Sequence, residues 1–469
     1  MDTDFLQWID GQQGRQYELH SRYVNPVFVK MLRTIGFDKG YVRGEGSYLY
    51  DEDGHRYLDL LTGWGVFALG RNHPKVRSIL EQVLSREMPN LVRMECSLLA
   101  GLVAEKLTSH TSSKTGAGLS RVFFTNSGTE SVETAIKFAR CATGKQKIVY
   151  CDQAFHGLTV GSLSLNGADF FRERFGDLMP GTEETPFNDL AALERALFRK
   201  DVAAFVVEPV QGKNCRVVAD GYLADAQKLC HKAGALLVVD EVQTGLGRTG
   251  KWFAYQHWPD VEPDIVCMAK ALSGGYVPVG AVITTPKIMD AVFDSMERCV
   301  VHSNTFGQND LAMAAALATL HVMEEERLVE NAATLGRHAM ESLAEMGRSC
   351  PFVDEVRGKG LMFGIDFKRP EHSLKLKAAW DTLHKLNFGV FSQMITVPLL
   401  QDHRILTQVA GYHTEVIKFL PPLNVARSDI DYFLAAMGKV LEGIQQVPGA
   451  AWNTMAAMAK GAVRAQISA

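Results

Sequence analysis

From about Arg121 to Thr284, short apolar runs alternate with longer stretches whose apolar positions recur at helical spacing. The runs are Val122–Thr125, Ile148–Tyr150, Ala203–Glu208, Leu236–Asp240, Ile265–Met268 and Ala281–Thr284, and the helical stretches include Glu130–Arg140 and Leu223–Ala233. Runs that are apolar throughout, rather than every second residue, mark strands buried on both faces. They predict an α/β fold with a mainly parallel central sheet covered by helices on both sides. Open sheets of this kind bind ligands beyond the C-terminal ends of their strands, so the residues that close these runs are the first places to look for chemistry.

The pattern differs at both ends of the chain. A helix is expected around Asn25 to Thr34, followed by "GYVRGEGSYLYDEDGHRYLDLLTG", where alternating apolar positions flank the turn "DEDG" as in a β-hairpin. After about residue 320 a helix, the strand-like "FVDEVRGKGLMFGIDF" and further helix predict a smaller α+β domain that also takes in the N-terminal arm. The last stretch, "AAWNTMAAMAKGAVRAQISA", reads as a terminal helix. The expected division is 1–54 for the arm and part of the small domain, 55–320 for the large domain, and 321–469 for the C-terminal small domain. A chain of 469 residues exceeds what one hydrophobic core usually holds, which agrees with two lobes.

Composition narrows the partners. With 46% hydrophobic and 22% charged residues and a net charge of -4, the chain has no basic block to attract nucleic acid or an acidic membrane, so the ligand is expected to be small. The eight cysteines form no C-x-x-C pair, which argues against a zinc site or a disulfide framework, and no metal is expected. "MDTDFLQWIDGQQGRQ" lacks the basic and apolar regions of a secretory leader, and no apolar run reaches the roughly 20 residues a membrane span needs. A cytoplasmic location is expected.

Three strand ends carry candidate chemistry. In "FFTNSGTESVETAIKFAR" a strand leads through Ser127, Gly128 and Thr129 into an amphipathic helix, whose free N–H groups suit a phosphate; a plain helix cap gives the same letters. Lys270, in "CMAKALSGG", follows an apolar run; a desolvated lysine can form a Schiff base with a carbonyl, or it can simply reach water. Asp240 closes "LLVVD", where a carboxylate needs a cation or hydrogen-bond donor beside it, although a strand-end aspartate can also just form a turn. Phosphate turn, acid and lysine together fit pyridoxal 5'-phosphate, with Asp240 facing a protonated ring nitrogen.

The motifs "NSGTESVETAIKFAR", "FHG", "VVEPVQG", "VVDEVQTGLGRTG", "PDIVCMAKALSGG", "NTFGQND" and "VRGKGLMFGIDF" occur in the order seen in class III pyridoxal-phosphate aminotransferases of the ornithine, acetylornithine and ω-amino acid group. The resemblance runs from about Tyr41 to Leu423. It implies fold type I, a homodimer with active sites shared between subunits, and an amine donor with a keto acid or aldehyde acceptor. It also implies roles: Lys270 holds the cofactor and moves the proton, Asp240 pairs with the ring nitrogen, Val242 and Phe155 cover the two ring faces, and Gln243 reaches the ring hydroxyl. His156 belongs to the same cofactor set, Glu208 orders the site near Gln243, Gly128 and Thr129 hold the phosphate, and Thr305 joins them across the dimer interface. Aminomutases, racemases and decarboxylating lyases share this scaffold and remain alternatives.

Two positions depart from the family. "EPVQGKNCRVV" has Lys213 where a glutamate is usual, and "VIKFLPPL" has Lys418 in place of an arginine that grips a substrate carboxylate. Lysine is a point charge without the two-pronged fit of guanidinium. The donor is therefore expected to be bulky or to lack an α-carboxylate, as in a polyamine, an ω-amino compound or a long-chain amine. Lys418, Trp64, Phe67 and Tyr23 are the candidate substrate-binding residues, the aromatics either as pocket walls or as ordinary core.

Overall fold

The computed structural model describes residues 2–111, 118–386, 390–411, 414–447, 449 and 452. The helix expected over the last twenty residues lies outside them apart from Trp452. Near the N-terminus the helix Pro26–Ile35 is capped by Asn25, whose side chain accepts from the Phe28 N–H, and it ends at Gly36 in the left-handed conformation. Strands β1 (Tyr41–Glu45), β2 (Tyr48–Asp51) and β3 (Arg56–Asp59) then run antiparallel. The "DEDG" segment turns the chain between β2 and β3, so residues 54 and 55, the expected domain boundary, fall inside this hairpin.

The central sheet is formed by β4 (Arg121–Thr125), β5 (Lys147–Cys151), β6 (Thr182–Thr185), β7 (Val202–Val207), β8 (Leu236–Asp240), β9 (Ile265–Met268) and β10 (Gly280–Thr284). Their spatial order is β4-β10-β9-β8-β7-β5-β6. All are mutually parallel except β10, which runs antiparallel to both of its neighbours. Each apolar run noted in the sequence is one of these strands; every residue of β7 and β9 is buried, as strands covered on both faces require. The edge strand β6, "TEET", has no apolar run because it is flanked by a strand on one side only. Helix Gly128–Thr143 lays Val132, Ala135, Ile136, Phe138 and Ala139 on the sheet, against Ile148, Val206 and Val238.

Beyond the helices Asp310–Glu325 and Leu328–Arg348 come β11 (Val353–Lys359), β12 (Met362–Phe367), β13 (Ile405–Leu406), β14 (Gln408–Val409) and β15 (Val416–Phe419). Strands β11, β12, β15 and β14 make an antiparallel sheet in that order, while β13 pairs in parallel with β3. Both ends of the chain thus meet in one small sheet. The register that sets Lys418 opposite Gly364 and Gln408 brings β15 to the edge of the large domain, where Lys418 reaches residues that follow β7 and β8.

Candidate active site

A cavity of about 810 Å³ opens beyond the C-terminal ends of β4, β7, β8 and β9, and Asn126, Ser127, Glu208, Asp240, Ala269 and Lys270 all line it. Strand pairing explains why the acid and the lysine meet. Asp240, the last residue of β8, lies opposite Cys267 of β9, three residues before Lys270. A chain distance of thirty residues becomes the spacing between neighbouring strands.

Asp240 is buried and doubly held: the Val242 N–H donates to its Oδ1 at 2.9 Å and His156 Nδ1 to its Oδ2 at 2.7 Å. Burial alone would lower the His156 pKa, but the hydrogen bond and charge of Asp240 outweigh it and raise it. The other ring nitrogen of His156 is buried with no hydrogen-bond partner among the described residues. Glu208 is also buried, accepting from the Phe155 N–H at 3.1 Å and the Gly212 N–H at 2.8 Å. Its burial raises its carboxyl pKa.

Lys270 has φ of 37°, in the left-handed region that side-chain-bearing residues rarely occupy, and starts a single 3-10 turn, Lys270–Ser273, followed by Gly274 and Gly275 with φ of 62° and 91°. That turn aims the side chain back over the strand ends. Burial, with the positive charge of Lys418 second, pushes its pKa down to about 8.

The turn at Ser127 is a capped helix start. Ser127 caps the helix Gly128–Thr143, its side chain accepting from the Glu130 N–H at 3.3 Å, and Glu130 Oε2 accepts from the Asn126 N–H at 2.7 Å. Thr129 Oγ1 bonds Thr159 Oγ1 at 2.7 Å and Ser162 Oγ at 2.6 Å. A Cβ at Gly128 would lie 2.6 Å from Val242 Cγ1, so only glycine lets the helix start come this close to the wall that Val242 forms.

Gln243 lines the cavity, but its amide nitrogen donates to the Trp64 carbonyl at 2.9 Å and its oxygen accepts from Lys418 at 3.3 Å, so the side chain is engaged by protein groups. Trp64 lines the cavity with its indole N–H on Gln408 Oε1 at 2.7 Å. Phe67 is absent from the lining: its ring lies under Arg71, whose guanidinium carbon is 3.6 Å from the ring centroid, and against Gly275. Tyr23 is 66% exposed on the helix Gln16–Tyr23, and Thr305 lies on an exposed segment; neither lines this chain's cavity. Phe171, which sequence reasoning missed, does line it and meets Phe155 edge to face at 5.4 Å. Its only signal was a pair of phenylalanines in the polar stretch "ADFFRERFGD".

A larger cleft, about 1080 Å³, is bordered by Arg216, Arg357 and Lys368, which pair with Asp152, Asp366 and Asp354. It holds none of the strand-end groups.

A buried lysine with a lowered pKa, an anchored buried carboxylate and a glycine-bearing helix start thus face one cavity at the strand ends. Residues 37–441 match the family described as Aminotransferase class-III, and the chain belongs to that family. It is 34% identical over 454 residues to Aminotransferase PigE of a Serratia species; the match covers 90% of this chain, which spans about half, 53%, of that relative's length. Its fold resembles the ornithine aminotransferase of Toxoplasma gondii, with a TM-score of 0.77 at 27% identity over 94% of this chain and 98% of the other. An amine transaminase from an uncultivated Pseudomonas species, in its PLP-bound form, gives a TM-score of 0.74 at 28% identity over 86% of this chain and 94% of the other. The architecture is accordingly that of fold type I.

Proposed function

We propose that the chain is a pyridoxal-phosphate-dependent transaminase that takes nitrogen from a primary amine or ω-amino donor and passes it to a keto acid or aldehyde. The observation that carries this reading is the pairing of β8 with β9, which sets the anchored Asp240 and the desolvated Lys270 on one cavity. The residues suit the cofactor: a helix start bared by Gly128 for its phosphate, Val242 and Phe155 for its faces, and Asp240 for its ring nitrogen. Bound there, pyridoxal phosphate supplies a carbonyl that exchanges with amines and a ring that accepts electrons.

The protein's own groups do the rest. Asp240, held in place by the His156 and Val242 N–H groups, would face the ring nitrogen from a fixed position and favour its protonated form. Lys270 Nζ, with its pKa near 8, is neutral in about a tenth of molecules at pH 7 and can act as the nucleophile. The same Nζ would take the proton from the substrate's amine-bearing carbon and later return it. Phe155, Phe171 and Val242 keep water from that proton.

The donor is read as an amine without an α-carboxylate. Lys418, the residue in the place of the family's arginine, donates to the Gly212 carbonyl and to Gln243, so its ammonium is held by the protein itself. In this reading the enzyme is a cytoplasmic homodimer, with Thr305 completing the neighbouring subunit's phosphate site. Its exposure and that of Val300, Val301 and Phe306 beside it support such an interface. Among the described residues no helix is long and apolar enough to cross a membrane.

The test is the visible spectrum of the protein with pyridoxal phosphate as pentylamine, putrescine, ornithine and glutamate are added singly. Bleaching of the band near the enzyme-bound cofactor's absorption by amines that lack an α-carboxylate is expected. Bleaching by the amino acids alone would overturn the donor assignment, and bleaching by none would overturn transamination.

A further inference from the structure

Lys213 is the cavity residue whose chemistry the reaction above leaves unused. It is 4% exposed, yet its Nζ has no hydrogen-bond acceptor among the described residues, while it lines the same cavity as Lys270. A buried ammonium normally finds an acceptor, because leaving one unpaired costs far more than leaving a neutral donor unpaired. The nearby acid does not meet this need: both oxygens of Glu208 are taken by the Phe155 and Gly212 N–H groups, and no ion pair joins Glu208 to Lys213 among the described residues.

The lysine is also held in place. Its turn is closed by the Gln211 N–H on the Arg216 carbonyl and the Cys215 N–H on the Gln211 carbonyl, each at 2.9 Å, and by the bridge between Val210 and Val217. Lys213 Nζ sits 4.9 Å from the ring centroid of Phe171, and its stem runs beside Gly411. Lys418, the other lysine on this wall, already has two acceptors.

We propose that Lys213 captures an anionic group of the substrate, namely the carboxylate of the keto acid acceptor. This rests on the transaminase reading and goes beyond it by assigning the acceptor's charge to a residue. Phe155 and Phe171 then contact the acceptor's carbon chain, and the paired positive charges of Lys213 and Lys418 disfavour any substrate that carries a second ammonium into this end of the cavity.

The experiment uses the holoenzyme charged with nitrogen from pentylamine and then discharged with pyruvate or with acetaldehyde, which lacks the carboxylate. Lys213→Met should lower the pyruvate-to-acetaldehyde ratio of kcat/KM by about tenfold or more, the scale of one charge-assisted hydrogen bond, mainly through KM. Lys213→Arg should restore the ratio to within a few-fold, and putrescine should gain on pentylamine as donor in Lys213→Met. An unchanged pyruvate-to-acetaldehyde ratio overturns the proposal, as does a loss of that ratio in Lys418→Met but not in Lys213→Met. Should Lys213→Met fail to fold, the wild-type protein still decides: butyrate must perturb the bound cofactor's absorption at lower concentration than butyramide does, and equal potency overturns the assignment. Absence of nitrogen transfer from every amine would sink the transaminase reading instead, and butyrate titrations of the wild type, Lys213→Met and Lys418→Met holoproteins would still show whether Lys213 binds the anion.

Discussion

Replacing Lys270 by methionine tests the energetic cost of the site apart from its chemistry. Burial first, and the Lys418 charge second, bring the Lys270 pKa from 10.5 to about 8. Each unit is worth about 1.4 kcal/mol, so keeping this lysine charged costs the folded apoprotein about 3 kcal/mol, and nearer 2 kcal/mol once its residual contact with water in the cavity is allowed for. The sign follows from proton counts. Below pH 8 both folded and unfolded chains hold the proton and the full cost is present. Between pH 8 and about 10.5 the unfolded chain keeps a proton the folded one has released, so wild-type stability rises with pH through that window. Methionine removes the charge while filling similar space. In urea unfolding of the apoprotein, Lys270→Met should therefore exceed wild type by about 2–3 kcal/mol at pH 7, and the difference should close as pH approaches 10. The variant should also lose covalent cofactor attachment and all amine exchange. A difference that stays the same at both pH values, or a less stable variant at pH 7, would refute the picture of a desolvated ammonium.

Asp240→Asn keeps the shape but removes the fixed charge. A unit charge about 4 Å away at an effective dielectric constant near 20 is worth about 4 kcal/mol, so amine exchange should slow by about a thousandfold, and retention of a tenth of the wild-type rate would count against the ring-nitrogen role. Gly128→Ala places a methyl group 2.6 Å from Val242 Cγ1 and should weaken cofactor binding by about tenfold or more in an absorbance titration, with Val242→Ala restoring part of the loss. Trp64→Ala removes a cavity wall and should raise the rate on long-chain amines relative to short ones several-fold; equal relative rates would show that Trp64 does not bound the donor site.

The strand ends were legible because burial on both faces leaves an unmistakable mark: "LLVV" and "IVCM" are apolar throughout, and Asp240 and Lys270 stand where these runs give out. The turn at Ser127 was legible for the same reason, with a cap and an amphipathic helix directly after a strand. What sequence could not provide was the company these residues keep. His156 lies 84 positions from Asp240, and nothing local marks its imidazole as the partner that anchors the carboxylate. Phe171 and Phe67 are both aromatic, yet one lines the cavity and the other packs under Arg71. Tyr23 and Thr305 were assigned by motif and position in the chain, and both lie on exposed segments away from this chain's cavity. Strand β6 was missed because an edge strand need not be apolar.

The two lysines end in different settings once the chain folds. Each stands where the family usually has another residue, and from the sequence only Lys418 was taken as a substrate-binding candidate. Folding separates them by acceptor count. The register of β15 points Lys418 at a carbonyl and a side-chain amide, which quiets its charge within the protein, whereas the closed turn Gln211–Arg216 holds Lys213 in the cavity with no such partner among the described residues. Two like charges on one wall, one satisfied and one not, make a site that repels a second ammonium and still has one strong donor to spend on an anion. In the proposed reading, the acceptor is then recognised by the unpaired Lys213, and the replaced arginine at Lys418 bears on the donor.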